Sequence, residues 1–152
     1  MQVTDASGAP VVHADGDVLQ DETGVPVKRF CVLVVDDDPN IRRMIMASLR
    51  REGYDFLEAS NGREGLTLMR SNKPDVVVLD LMMPFVSGWE VLQERNGDPE
   101  LKSIPVIVVS ANRDPEVATA VDQGICAFLP KPFDIGALNA LVRNCLVPIP
   151  TD

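Results

Sequence analysis

The stretch Phe30-Cys-Val-Leu-Val-Val-Asp-Asp-Asp-Pro39 decides the fold class, because an unbroken apolar run ends abruptly in three acids and a proline. Consecutive apolar, partly β-branched residues are typical of a strand that is buried on both faces, as in parallel sheets. Pro39 suits the first turn of a helix and Asp38 suits its N-cap, so a helix is predicted to follow directly. A strand that runs straight into a helix indicates the first half of a βαβ unit.

The rest of the chain repeats this alternation of short apolar runs and helical periodicity. Strands are predicted near residues 30–35, 54–58, 75–79, 104–109 and 125–129. Helices are predicted near residues 39–52, 63–71, 89–95, 115–123 and 133–146. Five strands that alternate with five helices predict an α/β fold, in which right-handed crossovers build a parallel sheet with helices on both faces.

Polar side chains stand where four of these strands end. They belong to Asp36, Asp37, Asp38, Asp80, Ser110 and Lys131. In open parallel sheets ligands bind beyond the carboxyl ends of the strands, so these positions form the candidate site. Each residue alone has a structural explanation, such as helix capping for the three acids. Their shared place at strand ends favours a common functional site instead.

Carboxylates that converge at Asp36, Asp37 and Asp80 need a cation, because two of them about 4 Å apart repel by roughly 4 kcal/mol at an effective dielectric of 20. Hard oxygen ligands favour Mg²⁺, and the predicted strand ends offer no His or Cys. With Mg²⁺ bound, Asp80 can act as a nucleophile toward phosphorus. Lys131 and Ser110 would then supply a positive charge and a hydroxyl donor to the transferred phosphoryl group.

The composition narrows the class of protein further. The length of 152 residues suits one domain, and the net charge of -9 argues against a nucleic-acid surface and against anionic membranes. No apolar stretch approaches the roughly 18 residues of a membrane helix, and the N-terminus lacks the basic region of a secretory signal. A cytoplasmic protein is therefore expected, and Cys31, Cys126 and Cys145 are expected to be buried, reduced thiols.

Residues 1–28 differ from the rest, because Asp5-Ala-Ser-Gly-Ala-Pro-Val11 recurs as Asp21-Glu-Thr-Gly-Val-Pro-Val27. One interpretation is a flexible acidic tail or linker. The other is a small β-hairpin arm that docks on this domain, on the second copy of a homodimer or on a neighbouring domain. His13 lies in this segment, without the helical-bundle context that a phosphodonor histidine needs. Residues 29–147 are expected to form the folded domain, and residues 148–152 a C-terminal tail.

Four segments resemble the receiver domain of two-component response regulators, such as the chemotaxis response regulator. They are Val32-Leu-Val-Val-Asp-Asp-Asp38, Val78-Leu-Asp-Leu-Met-Met-Pro84 with Gly88, Val109-Ser-Ala111, and Lys131-Pro-Phe133. The resemblance covers roughly residues 30–146 and keeps the order and spacing of every motif. It implies a flavodoxin-like, doubly wound (βα)5 fold with a sheet of order 2-1-3-4-5.

The resemblance also implies the chemistry of Asp80. A histidine kinase or a histidine phosphotransfer protein would phosphorylate this residue. Lys131, with a cis bond to Pro132, would hold the phosphoryl group together with Ser110 and Ala111. The chain would then be a signalling phosphoacceptor, not an enzyme that turns over a substrate.

A metal site and a switch follow from the same resemblance. Mg²⁺ would be bound by Asp37, Asp80 and the backbone carbonyl of Met82, and by Asp36 mostly through water. Ser110 and the aromatic side chain of Phe128 would reorient on phosphorylation. The signal would leave through the fourth helix, fifth strand and fifth helix, toward a downstream target protein or a fused domain.

Members of the family vary at the position two residues after the phosphoacceptor and at the position two residues after the switch hydroxyl. In this chain these positions are Met82 and Asn112. We hypothesise that the apolar Met82 positions the attacking water poorly and so slows self-dephosphorylation.

Two other function classes share part of this pattern. A haloacid-dehalogenase-type phosphatase shares the D-x-D pattern, but it needs a cap and a Thr or Val where this chain has Asn40. A degenerate receiver would bind partners without phosphorylation, yet all the residues required for phosphorylation are present.

Overall fold

The computed structural model describes residues 29–111 and 124–146, and these residues form five strands and four helices. The strands are β1 (Cys31–Val35), β2 (Asp55–Ala59), β3 (Val76–Asp80), β4 (Val106–Ser110) and β5 (Ala127–Pro130). The helices are α1 (Pro39–Arg51), α2 (Gly62–Asn72), α3 (Gly88–Gly97) and α4 (Ile135–Leu146). The predicted helix at 115–123 lies outside the described residues, so α4 corresponds to the fifth predicted helix.

The five strands form one parallel sheet in the order β2-β1-β3-β4-β5, which confirms the expected doubly wound topology. β1 and β3 are adjacent, with Val35 opposite Leu79. β3 and β4 are adjacent, with Asp80 opposite Val109. The chain reverses direction across the sheet after β2, and at this switch the carboxyl ends of β1 and β3 form the crevice where ligands bind in such folds.

The core lies in two layers, one on each face of the sheet. On one face, Leu33, Val77 and Val108 pack with residues of α2 and α3. On the other, Val32, Val78 and Val109 pack with residues of α1 and α4. The residues of β3 and β4 are all buried, as the unbroken apolar runs predicted, because helices cover both faces.

Polar side chains cap α1 and α3, the first of them at the predicted Asp38. The Asp38 carboxylate accepts a hydrogen bond from the Asn40 backbone N–H at the start of α1. Ser87 and Glu90 form a reciprocal capping box at the start of α3. Gly53, with a φ of 85°, follows the C-cap of α1, where a left-handed residue commonly ends a helix. These caps set where each helix leaves the sheet.

The structure corrects the prediction for two cysteines. Cys126 and Cys145 form a disulfide, whereas reduced thiols were expected. Cys126 is also exposed and precedes β5 instead of lying within it. Cys31 remains a free cysteine, as predicted, although it is only partly buried.

Several predictions concern residues outside the described ranges 29–111 and 124–146. They are the N-terminal tail or hairpin arm at 1–28, His13, Asn112 and the C-terminal tail at 148–152. The longest described helix, α1, has 13 residues, and none of the described helices qualifies as a membrane span.

Candidate functional site

Three carboxylates meet at the carboxyl edge of the sheet. Asp36 follows the last residue of β1, Asp80 ends the adjacent β3, and Asp37 stands next to Asp36. One ligand oxygen of each can be chosen so that all three lie within 4.8 Å of one another. Asp36 and Asp80 are 3% and 4% exposed, whereas Asp37 faces solvent. Two of the acids are therefore buried, and the third stays accessible from solvent.

Lys131 directly follows β5, and its side chain reaches two of the acids. Its Nζ atom lies 2.8 Å from Oδ2 of Asp36 and 3.5 Å from Oδ2 of Asp80. The Lys131 backbone N–H donates to the carbonyl oxygen of Ser110 at 2.9 Å. The bond between Lys131 and Pro132 is cis, as the resemblance implied. The lysine thus approaches the acids from a backbone that is tied to the end of β4.

The protonation of the site reflects this crowding of charge. Burial raises the pKa of Asp80 from 3.8 to about 6; Lys131 opposes this with the second largest effect, and Asp36 and Asp37 add smaller increases. Burial also lowers the pKa of Lys131, but its hydrogen bond to Asp36 and its attraction to Asp80 outweigh that effect and raise the pKa overall. One lysine therefore serves two buried acids, and the site has excess negative charge that a cation would neutralise.

Backbone N–H groups hold the carboxylates in place. Oδ1 of Asp80 accepts a hydrogen bond from the Met82 N–H at 3.1 Å. Oδ1 of Asp36 accepts one from the Asp38 N–H at 2.9 Å. In each case the other carboxylate oxygen is the one near Lys131. Met82 is 58% exposed, so an apolar residue faces solvent two positions beyond Asp80.

Two supporting residues were not assigned these roles from the sequence. Arg42 donates from Nη1 to the backbone carbonyl oxygen of Asp36 at 2.7 Å and from Nε to Glu58 at 2.9 Å. Its position four residues after the N-cap Asp38 places it over the first turn of α1, which is a detectable but weak signal. Gly88 lets α3 begin against β3, because a Cβ there would collide with the Asp80 carbonyl oxygen and lie 2.6 Å from Cα of Leu81.

The remaining predicted residues lie around this cluster. Ser110 is fully buried at the end of β4, directly after Val109, the residue opposite Asp80. Ala111 follows it and is exposed. Phe128 in β5 is half-buried, stands opposite Val108 and packs against the core layer that α2 and α3 cover. Ser110 is thus adjacent to the acids, whereas Phe128 lies farther along the sheet.

The donor set can hold a divalent metal. Three carboxylates are available, and hard, charged oxygens of this kind suit Mg²⁺. The Asp36–Lys131 pair does not occupy every carboxylate oxygen, and the exposed Asp37 leaves a route from solvent. The predicted acidic metal pocket therefore has suitable ligands in the folded chain.

Comparisons with known proteins identify the family of this chain. The family model described as the response regulator receiver domain matches residues 32–143. Protein PilH of Pseudomonas aeruginosa is 36% identical over 116 residues, which cover 76% of this chain and 96% of PilH. Response regulator MprA of Mycolicibacterium vanbaalenii is 40% identical over 117 residues, which cover 76% of this chain but 49% of MprA. The chain thus spans about half the length of some relatives.

Solved structures show the same fold. The chemotaxis protein CheY4 of Vibrio cholerae superposes with a TM-score of 0.72 at 28% identity, covering 78% of this chain and 100% of CheY4. The strand order β2-β1-β3-β4-β5 is the one expected for this fold. The chain belongs to the response regulator receiver domain family.

Proposed function

We propose that this chain is the phosphoacceptor of a two-component phosphorelay, in which Asp80 receives a phosphoryl group from a histidine kinase or a histidine phosphotransfer protein. The observation that carries this proposal is the placement of Asp80. Its buried carboxylate lies in a cluster with Asp36 and Asp37 and 3.5 Å from Lys131. The proposed domain for this role is 29–147.

The chemistry follows from the carboxylate. An oxygen of Asp80 attacks the phosphorus of the donor, the phosphorus–nitrogen bond of the phosphohistidine breaks, and the product is an acyl phosphate on Asp80. The Met82 N–H, which donates to Oδ1 of Asp80, orients the carboxylate for this attack. Lys131 and the hydroxyl of Ser110 then bind oxygens of the phosphoryl group, beside Ala111.

Asp37, Asp80 and the Met82 backbone carbonyl would hold Mg²⁺, with Asp36 acting mostly through water. When bound, Mg²⁺ neutralises and orients the phosphoryl oxygens during transfer. A cation would neutralise the remaining negative charge, because Lys131 alone is shared by the two buried carboxylates of Asp36 and Asp80. Oδ1 of Asp36 accepts a hydrogen bond from the Asp38 N–H, so the orientation of this oxygen does not depend on Lys131.

The output is a change in binding, not a released product. A phosphoryl group adds about -1.5 to -2 charges, which draw Lys131 and Ser110 toward Asp80. Ser110 and Phe128 serve as the switch residues. The surface that responds comprises the predicted helix at 115–123, β5 and α4. It would bind a downstream target protein or a fused domain.

The proposal is tested by exposing the purified chain to acetyl phosphate with MgCl₂ and measuring its intact mass. The expected result is one added phosphoryl group, which is lost in Asp80→Ala and in the presence of EDTA. Glu100→Ala removes an exposed carboxylate elsewhere and should keep the adduct. A chain that folds but gains no phosphoryl group contradicts the proposal and favours the degenerate receiver that binds partners without phosphorylation.

A further inference from the structure

The disulfide joins two elements at the end of the sheet opposite the acids. α4 follows β5 and runs back across the sheet, so its last turn lies beside the start of β5. Cys126 directly precedes β5, and Cys145 is the penultimate residue of α4. Their Cα atoms are 6.2 Å apart across a sequence separation of 19 residues. The enclosed loop contains β5, Lys131 and most of α4.

Both joined elements also make non-covalent contacts at that end. The Cys126 N–H donates to the Val106 carbonyl oxygen at 2.8 Å, and Cys145 and Leu146 pack, partly buried, against the core layer that α1 and α4 cover. β5 is an edge strand whose residues are all only partly buried, in contrast to the fully buried β4. The buried residues of α4 are Leu138 and Val142, and both precede its last turn. Asn139 donates to the Ser48 hydroxyl at 2.6 Å, which also ties only the middle of α4 to α1. The disulfide therefore adds a covalent connection to β5 in a last turn whose other packing is only partly buried.

The bond can be reached by a reductant. Cys126 is exposed and Cys145 is partly exposed. A thiolate of a dithiol can attack Sγ of Cys126 and displace Cys145 as a thiolate, which takes up a proton. The second thiol of the reagent then attacks its own sulfur in the mixed disulfide and releases Cys126. Two electrons have passed to the protein, and the reagent leaves as a cyclic disulfide. A disulfide oxidant reverses both steps.

Cys31 provides an internal contrast. It lies within β1, its backbone N–H donates to Asp75, and burial raises the pKa of its thiol to about 12. A thiol of that kind is almost never ionised at neutral pH and reacts slowly. We therefore expect oxidation and reduction to act on the disulfide between Cys126 and Cys145 and not on Cys31.

We propose that Cys126 and Cys145 form a redox-sensitive clamp that controls how firmly the last turn of α4 is held against β5. Oxidation closes the clamp, and a dithiol reductant opens it. The clamp acts at the amino end of the parallel strands, whereas Asp36 and Asp80 lie at the carboxyl end. It therefore changes the stability of the β5–α4 surface without altering the phosphoacceptor residues, and it does not depend on phosphoryl transfer.

The test compares the full chain after oxidation with glutathione disulfide and after reduction with dithiothreitol. Alkylation in denaturant followed by intact mass should show one reactive thiol in the oxidised chain, Cys31, and three after reduction. Reduction should lower the melting temperature by about 10 °C, since it removes a constraint on a loop of this length. Hydrogen exchange should rise in β5 and in the last turn of α4, but not in β1.

Variants identify the clamp as the source of the response. The variants Cys126→Ser and Cys145→Ser should have the melting temperature of the reduced chain, and dithiothreitol should not change it. Cys31→Ala keeps the disulfide and should keep the full response. Phosphoryl uptake from acetyl phosphate should be equal in both redox states. Three reactive thiols after oxidation, or a melting temperature that reduction changes by less than about 2 °C, would overturn the proposal.

Discussion

Lys131 is bonded to Asp36 more closely than to Asp80, with Nζ–Oδ2 distances of 2.8 Å and 3.5 Å. The lysine therefore stabilises the acid that follows β1 and only partly offsets the burial of the proposed phosphoacceptor. This arrangement explains why burial still raises the pKa of Asp80 to about 6 with a cation so near. It also makes the charge of the site sensitive to single substitutions.

Removal of the lysine should raise the pKa of Asp80 further. Lys131 lowers this pKa by its positive charge, so Lys131→Met is expected to move it above about 6 in the metal-free protein. Carbon-13 NMR titration of the Asp80 carboxyl group in EDTA measures the effect. Lys102→Met removes an exposed lysine and should leave the titration unchanged. An equal or lower pKa in Lys131→Met would contradict this account of the site.

The raised pKa of Asp80 predicts a pH-dependent stability in the absence of metal. Below the unfolded value of 3.8 the group is protonated in both states, and its contribution to stability is fully present. As the pH rises the unfolded chain ionises first, so the contribution falls and is lost once the folded pKa of about 6 is passed. Asp80→Asn should therefore gain roughly 1–3 kcal/mol relative to the wild type between pH 4 and pH 7.

Urea unfolding at several pH values checks this gain in EDTA. MgCl₂ should shrink the difference between the two proteins or reverse it, because a bound cation stabilises the ionised carboxylate. If the free energies of unfolding of Asp80→Asn and the wild type changed with pH in parallel in EDTA, ionisation of the buried Asp80 would not destabilise the folded protein, contrary to this prediction.

Gly88→Ala should disturb the site through the backbone. A Cβ at this position meets the Asp80 carbonyl oxygen and Cα of Leu81, neither of which can move like a flexible side chain. We expect a loss of about 1–3 kcal/mol in the free energy of unfolding and slower phosphoryl uptake. Gly97→Ala is the matched control at the other end of α3, where a Cβ meets nothing within 4 Å. It should be neutral or stabilising by up to about 1 kcal/mol; equal effects of the two substitutions would rule out the close approach at Gly88.

Met82→Asn should shorten the lifetime of the phosphoryl group. The Met82 side chain is exposed, so the change should leave stability within about 0.5 kcal/mol. An amide two residues beyond Asp80 can orient a water molecule that the apolar side chain cannot. The decay of the mass adduct after removal of acetyl phosphate gives the lifetime, and Met82→Leu should decay like the wild type. If the phosphoryl lifetime in Met82→Asn were hardly shorter than in the wild type, Met82 would not be the residue that limits hydrolysis.

Much of the fold and site could be predicted from local patterns. The apolar runs predicted all five strands, and the predicted N-cap Asp38 accepts a hydrogen bond from a free backbone N–H group at the start of α1. Strand boundaries shifted by one or two residues, so that Asp80 ends β3 instead of following it. The convergence of Asp36, Asp80 and Lys131 followed from one rule, since the carboxyl ends of parallel strands share an edge.

Contacts between distant parts of the chain could not be predicted in this way. The bond from Arg42 to the Asp36 carbonyl depends on how α1 returns over the end of β1. The need for a glycine at Gly88 depends on the distance between two backbones, which no side-chain pattern encodes.

The sequence by itself determined the order of strands and helices, and with it the edge where the acids and the lysine gather. Apolar periodicity and polar strand ends are local properties, and right-handed βαβ crossovers turn them into a parallel sheet with helices on both faces. The strand order 2-1-3-4-5 was implied by the resemblance to receiver domains. Only the tertiary structure decided that Lys131 pairs first with Asp36, and that Cys126 lies beside Cys145. Both outcomes depend on ångström-scale distances between residues far apart in the chain, which packing sets and sequence spacing does not.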